Sequence, residues 1–351
     1  MKAVYITKQG PPEVLTYGEL PDPVPGPGEV VARVRACALN HRDVYLRAGV
    51  RGLGRELKEP LILGSDVAGD VLTVGPGVTN VKPGNRVLFH VRWGCGDCEY
   101  CQGGRDNLCP NRLEPGIYSR SGAFAQGGYA ELFKAPARHA HLFPDWMSYE
   151  EAASIPLTAI TAWHMLVKKV GLRPGEKVLV LGASGGVGSM GVQIAKVMHG
   201  WVIATASSEE KALAVKKFGA DEVVNYGKGE LAQRVKELTG GQGVDVVFDS
   251  VGTDVWEQAF ASLGPGGRFV TCGVTSGYKV ELHLGQLFSQ ELTVMGVSEG
   301  PAWEFLDVMR LVNMGKLRGF VGATFPLNQA QQAHRLMEAR SFTGKVVLRV
   351  D

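Results

Sequence analysis

The chain has 351 residues, a length that suits about two domains at roughly 150 residues each. Hydrophobic residues make up 45% and charged residues 21%, ordinary globular proportions that let each half bury a core. Net charge is +2 with no long basic run, which argues against nucleic acid, and no signal-peptide core or spanning apolar run argues for a soluble, cytoplasmic protein rather than a membrane one.

In chain order, Met1-Lys2-Ala3-Val4-Tyr5-Ile6 reads as a short strand. Further β-type runs follow at Glu29–Val34 and Asp70–Val74, separated by turns such as Pro25-Gly26-Pro27-Gly28 and Lys82-Pro83-Gly84-Asn85. They predict a β domain over residues 1–147. The texture changes near Ser148. Short, continuously apolar strands then alternate with helical patterns: strands at Lys177–Leu181, Val202–Ala204, Val223–Val224, Val244–Phe248, Arg268–Val270 and Leu292–Met295, and helices at Ser189–His199, Glu209–Phe218, Glu230–Leu238 and Val255–Leu263. Strands buried on both faces and spaced by helices predict a parallel, doubly wound α/β domain over 148–299. The tail, 300–351, returns to short strands and one helix and is expected to fold back onto the first domain.

Within the first domain, Cys95, Cys98, Cys101 and Cys109 follow a C-x2-C-x2-C-x7-C spacing. Four thiolates can surround zinc tetrahedrally and leave no position open for substrate, so the site reads as structural zinc; free thiols or an iron–sulfur cluster are the alternatives. Clustered cysteines also suit a reducing compartment better than a disulfide scaffold.

The second domain opens with Gly182-Ala183-Ser184-Gly185-Gly186-Val187-Gly188 between a strand and a helix. Gly185, Gly186, Val187 and Gly188 thereby become candidates for binding a dinucleotide pyrophosphate at a helix N-terminus, against an ordinary strand-to-helix turn. Ala183 stands at the first motif position. The next strand ends at Thr205-Ala206-Ser207-Ser208, with Ala206 where an NAD site usually carries an acid for the ribose hydroxyls. Ser207, Ser208 and Lys211 are candidates for a 2′-phosphate, so NADP(H) is favoured over NAD(H); a solvated loop and charged helix face is the alternative. Ser250, Gly273, Val274, Gly296 and Val297 follow later strands, at the carboxyl ends where parallel sheets bind ligands. Ordinary strand-end turns would look the same.

Together these features resemble the medium-chain dehydrogenase/reductase superfamily, which includes zinc alcohol dehydrogenases and quinone oxidoreductases. The resemblance implies a GroES-like β domain plus a Rossmann domain, a cofactor cleft between domains, cofactor contact at Thr161, and a homodimer or homotetramer acting on a small molecule. It also exposes a departure. Zinc alcohol dehydrogenases carry a Cys at the position of Asn40, a His-Glu pair at Ser65-Asp66, and a further Cys near Leu157. Asn, Ser and Leu replace two thiolates and an imidazole, so no catalytic zinc is expected. Instead Asn40-His41-Arg42-Asp43-Val44-Tyr45-Leu46-Arg47-Ala48-Gly49 resembles quinone oxidoreductases, with their N-x-x-D-x-Y-x-R-x-G spacing. That likeness implies that Asn40 and Tyr45 lie beside the nicotinamide, Tyr45 as donor to a developing oxyanion and Asn40 as an orienting amide. A buried aromatic is the plainer role for Tyr45. The expected function is an NADP(H)-dependent reductase of a quinone or an activated C=C or C=O. The alternatives are an alcohol dehydrogenase acting on a small alcohol, and an NADPH-binding structural or single-stranded RNA-binding protein without turnover.

Overall fold

Glu29–Ala38 is the strand around which the first unit is organised: seven of its ten residues are buried, and neighbouring strands pair with both its edges. A computed structural model describes residues 1–119, 123–225 and 230–351. The first unit comprises Met1–Leu157, Pro301–Asn313 and Arg318–Asp351, the second Thr158–Gly300 and Met314–Leu317.

In the first unit a seven-stranded sheet runs in the order Val321–Pro326, Lys345–Arg349, Glu29–Ala38, Asp66–Val74, Arg86–Phe89, Ala140–Leu142, with Leu132–Pro136 also paired to Glu29–Ala38. The register of the joining pair sets Val347 opposite Ala38 and Leu348 opposite Cys37, antiparallel. A smaller sheet joins Thr16–Glu19, Lys2–Ile6 and Leu61–Ile62. Phe89 and Phe133 meet edge to face at 5.1 Å in the core beneath them.

The unit runs past the texture change near Ser148. Ser148 caps the helix Tyr149–Ala153 by accepting the Glu151 N–H at 3.1 Å, and this helix packs on Glu29–Ala38 and Asp66–Val74. The boundary therefore falls after Leu157 rather than after residue 147, and Met314–Leu317 leaves the tail to join the second unit. Ala302–Phe305 forms the first turn of the helix Ala302–Asn313.

The second unit is a parallel sheet of six strands: β1 (Lys177–Val180), β2 (Trp201–Ala206), β3 (Glu222–Asn225), β4 (Val244–Asp249), β5 (Leu263–Thr271) and β6 (Thr293–Gly296). Their spatial order, 3-2-1-4-5-6, is that of the doubly wound Rossmann arrangement. Val178, Leu179 and Val180 are fully buried, which is why β1 reads as an unbroken apolar run. The helices Gly186–Val197, Glu209–Lys216, Leu231–Leu238 and Trp256–Phe260 follow the predicted segments, the last one shorter because β5 already begins at Leu263. Among the described residues no helix is long and apolar enough to cross a membrane.

Candidate functional site

The glycine-rich turn leaves β1 through Gly182 at φ +65° and enters the helix Gly186–Val197, capped by Gly185. A Cβ at Gly188 would lie 2.1 Å from the Gly182 carbonyl oxygen, so only glycine lets the helix close this tightly on the strand. The first amides of the helix, from Gly186, Val187 and Gly188, need partners from outside the helix. Thr205 on β2 accepts the Gly182 N–H at 3.2 Å and fixes the turn against the neighbouring strand.

The remaining dinucleotide candidates gather at the carboxyl edge of the same sheet. Ser250, just past β4, donates to the Leu181 carbonyl at 3.1 Å. Asp249, its carboxyl pushed up by burial, accepts the amides of Val251 and Gly252 and the Thr271 hydroxyl. Thr271 in turn accepts the Gly273 N–H at 3.0 Å and, through its carbonyl, the Val297 N–H at 2.9 Å. One carboxylate thus shapes the loops after β4 and β5. Val274 is 41% exposed beside them, and Gly296 ends β6. Thr161 is buried in the helix Pro156–Trp163 of this unit. Beyond β2, Ser207 is exposed, whereas Ser208 spends its hydroxyl as the helix cap for the Lys211 N–H at 3.3 Å. Glu209 and Glu210 occupy the first turn after it, beside Lys211.

The four cysteines converge as the spacing predicts. Their sulfurs lie within 4.8 Å of one another, with Cys109–Cys95 at 3.5 Å and Cys95–Cys101 at 3.9 Å. A tetrahedron of Zn–S bonds near 2.3 Å needs sulfurs roughly 3.8 Å apart, so the donor set fits zinc. Backbone amides of Asp97 and Cys98 hold the Cys95 thiol down to about 7, toward the thiolate a metal requires. No other group of three or more His, Cys, Asp or Glu among the described residues could hold a metal. The lobe is tied to the helix Ala302–Asn313: Asp106 accepts the Ala302 N–H at 3.2 Å, and Trp303 donates its indole N–H to the Gly104 carbonyl at 2.8 Å.

The N-x-x-D-x-Y-x-R-x-G segment divides by role. Asp43 accepts the Asn40 N–H at 2.8 Å and starts the helix His41–Ala48; Gly49 ends it. Burial pushes the Asp43 carboxyl up to about 6, and the Tyr129 hydroxyl donates to it at 3.2 Å. Arg47 is buried and pairs with Glu338, while Arg42 pairs with buried Glu114 rather than facing open solvent. Tyr45 differs. Its hydroxyl is buried yet has no hydrogen-bond partner among the described residues, and the Arg51 guanidinium sits 4.9 Å from its ring centre. Burial pushes the pKa of its hydroxyl up, so it remains a neutral donor.

Asn40 sits in a polar cluster that the motif alone does not reveal. Its amide nitrogen donates to Asp66 at 3.0 Å, and its carbonyl accepts from the Lys345 ammonium at 2.6 Å. Lys345 also meets Asp66 at 2.9 Å, and the other Asp66 oxygen accepts the Leu157 N–H at 2.9 Å. Asp66 is completely buried and Ser65 is 4% exposed. Asp66 therefore joins Asn40 and the Leu157 amide, two of the positions at which the resemblance to zinc alcohol dehydrogenases would place ligands, with Ser65 next to it in sequence, and the Lys345 ammonium pairs with Asn40 and Asp66. Lys345 and Asp66 were missed as a pair. The signal was a lysine opening the apolar strand Lys345-Val346-Val347-Leu348, since a lysine there enters the core only with a partner.

Comparison with known proteins agrees with this architecture. Residues 26–145 match the alcohol dehydrogenase GroES-like domain, and residues 186–313 match the zinc-binding dehydrogenase family. An acryloyl-coenzyme A reductase of Metallosphaera sedula is 32% identical, with 99% of each chain covered. A quinone oxidoreductase of Pseudomonas aeruginosa is 34% identical, also over 99% of each chain. A solved structure described as an NAD-dependent alcohol dehydrogenase is 42% identical over 100% of both chains, with a TM-score of 0.94.

Proposed function

Because the chain belongs to the medium-chain dehydrogenase/reductase superfamily and is an oxidoreductase, we propose that it reduces a quinone or an activated double bond with NADPH and needs no catalytic zinc. The observation that carries this reading is the state of Asn40, Ser65 and Leu157. They offer neither thiolate nor imidazole; the carboxylate next to Ser65, Asp66, is taken up by Asn40, Lys345 and the Leu157 amide, and Asp43 by the Asn40 N–H and the Tyr129 hydroxyl. Names such as acryloyl-coenzyme A reductase and quinone oxidoreductase, borne by relatives, share one chemistry: an acceptor whose oxygen turns negative when hydride adds.

Bound NADPH supplies the hydride and leaves as NADP+; the acceptor gains that hydride and one proton. The chain's own part is to hold the acceptor and stabilise its oxygen. Tyr45 has the free, neutral hydroxyl for that task. The turn at Gly185–Gly188 would hold the pyrophosphate, with Thr161, Ser250, Gly273, Val274, Gly296 and Val297 around the rest of the dinucleotide. NADPH is preferred because Ala206 ends β2 without a carboxylate, leaving Ser207 and Lys211 to face a 2′-phosphate. Cys95, Cys98, Cys101 and Cys109 hold one structural zinc. Assembly is homo-oligomeric: β6 is an edge strand, and Val294 on it and Phe288 before it are exposed at 39% and 78%, a face suited to a second copy.

The test is NADPH oxidation against quinones, enones, acryloyl thioesters, aldehydes and small alcohols with NADP+, together with elemental analysis. We expect turnover of quinones or conjugated C=C acceptors and one zinc per chain. Two zinc ions per chain and chelator-sensitive alcohol oxidation would establish the alcohol dehydrogenase reading instead.

A further inference from the structure

An ammonium buried in a β domain needs a reason, because its desolvation is repaid only by close partners. Lys345 has an almost fully enclosed side chain, and its partners are the fully buried Asp66 and the amide oxygen of Asn40. The three form a closed triangle: Nζ to Oδ1 of Asn40 at 2.6 Å, Nζ to Oδ2 of Asp66 at 2.9 Å, and Nδ2 of Asn40 to that same oxygen at 3.0 Å. The Leu157 amide holds the far side of the carboxylate at 2.9 Å.

Counting donors shows what the triangle leaves over. An amide nitrogen carries two hydrogens and an ammonium three. Asp66 takes one from Asn40, while Asp66 and Asn40 take two from Lys345. One N–H of each is spare. The cation on the Asn40 oxygen also draws electron density from that amide and strengthens its remaining N–H as a donor. The charge is felt beyond the triangle: after burial, Lys345 is the largest influence holding His41 down to about 4, and His41 lies one helical turn from Tyr45.

We propose that Lys345 is a positioning residue for hydride transfer, whose ammonium, held by Asp66, fixes and polarises the Asn40 amide and supplies the fixed positive charge that a catalytic metal supplies in zinc alcohol dehydrogenases. This rests on the metal-free reductase reading given above. The buried ammonium is bonded to Asn40 and to the carboxylate that also holds the Leu157 amide, and a cation held there stabilises a developing oxyanion without a Lewis acid. A merely structural ion pair would contribute by its pairing alone, whereas this role depends on the charge itself.

The two are separated by a pair of variants. Lys345→Met leaves Asp66 as a buried, unpaired charge and should lower both the thermal midpoint and kcat. The charge-neutral double variant, Asp66→Asn with Lys345→Met, removes that unpaired charge and should regain the midpoint. Its kcat on the best quinone or enone should stay at least tenfold below that of the unaltered protein, with NADPH affinity within threefold. Recovery of kcat along with the midpoint overturns the proposal, because the pair then serves stability only. If the Met-bearing forms do not fold, Asp66→Asn with Lys345→Gln carries the same comparison with the same two outcomes. Absence of turnover by the unaltered protein on every quinone and conjugated acceptor overturns the parent reading, and this proposal with it, and is recognised before any variant is made.

Discussion

Tyr45 is the residue on which the chemistry is most directly testable. A hydroxyl enclosed in protein without a partner forgoes a hydrogen bond that is ordinarily made, and a substrate oxygen is the partner that would repay it. Tyr45→Phe should therefore cost about 2–4 kcal/mol of transition-state stabilisation, a rate lower by about 30- to 1000-fold, with NADPH affinity little changed. Full activity in that variant would reduce the tyrosine to packing. At the other candidate residue, Ala206→Asp should reverse the cofactor preference, because a carboxylate repels a 2′-phosphate and accepts from the ribose hydroxyls. Titration with both cofactors decides it, and NADH binding equal to or tighter than NADPH in the unaltered protein refutes the preference. Ser208 contributes less to that preference than its sequence position implied, since its hydroxyl already caps a helix and acidic residues follow it. These residues mark what a linear reading can and cannot resolve. Cysteine spacing and the glycine turn are local, so their geometry was legible. The Asn40–Asp66–Lys345 triangle joins residues separated by 305 positions in sequence, and no local pattern reports such a meeting.

At the scale of elements, period and burial explain which predictions survived. The inner strands β1, β2 and β4 are short apolar runs because they are buried within the sheet, and each predicted strand overlaps an observed one, β5 beginning five residues earlier than predicted. The boundary near Ser148 was misjudged for a related reason: a helix looks alike whichever unit it packs against, and Tyr149–Ala153 packs on the first. The cysteine lobe makes an element-scale prediction. Cys98 caps the short helix Glu99–Gln102, far too short to persist unaided, and the lobe holds the helix Ala302–Asn313 through Asp106 and Gly104. Cys98→Ser or chelation should therefore release zinc and raise amide exchange first across residues 95–109, then at the start of Ala302–Asn313. Unchanged exchange in protein stripped of metal would show that the lobe does not depend on zinc.

For the whole molecule, buried imidazoles set the response to acid. His334 is completely buried and held down to about 3 by burial and then by Arg47; His139, stacked near Trp93, is likewise held well below its usual range by burial. The unfolded chain takes up protons at these groups below about pH 6.5, while the folded one resists, so stability falls as pH drops from about 6.5 toward 3. Each contributes at most about 1.4 kcal/mol per pH unit across its window. Asp43, pushed up to about 6, and Asp106 and Asp249, also raised by burial, act in the opposite sense, but His41 and His141 are held down by burial as well, so these carboxyls face four imidazoles. Thermal midpoints measured from pH 7 to pH 4 should decline steadily; a flat profile would refute this account. The position of Lys345–Arg349 inside the first sheet has a further consequence, for biosynthesis. The second unit is nearly contiguous in sequence and can assemble while translation continues. The strand Glu29–Ala38, by contrast, waits for a partner made some 305 residues later, about 15 to 60 s at usual elongation rates, with part of one edge unpaired meanwhile. The ammonium of Lys345 arrives with that partner, so a nascent chain acquires its dinucleotide fold before it acquires the polar triangle at Asn40. A stalled or shortened product would then bind cofactor without being able to use it.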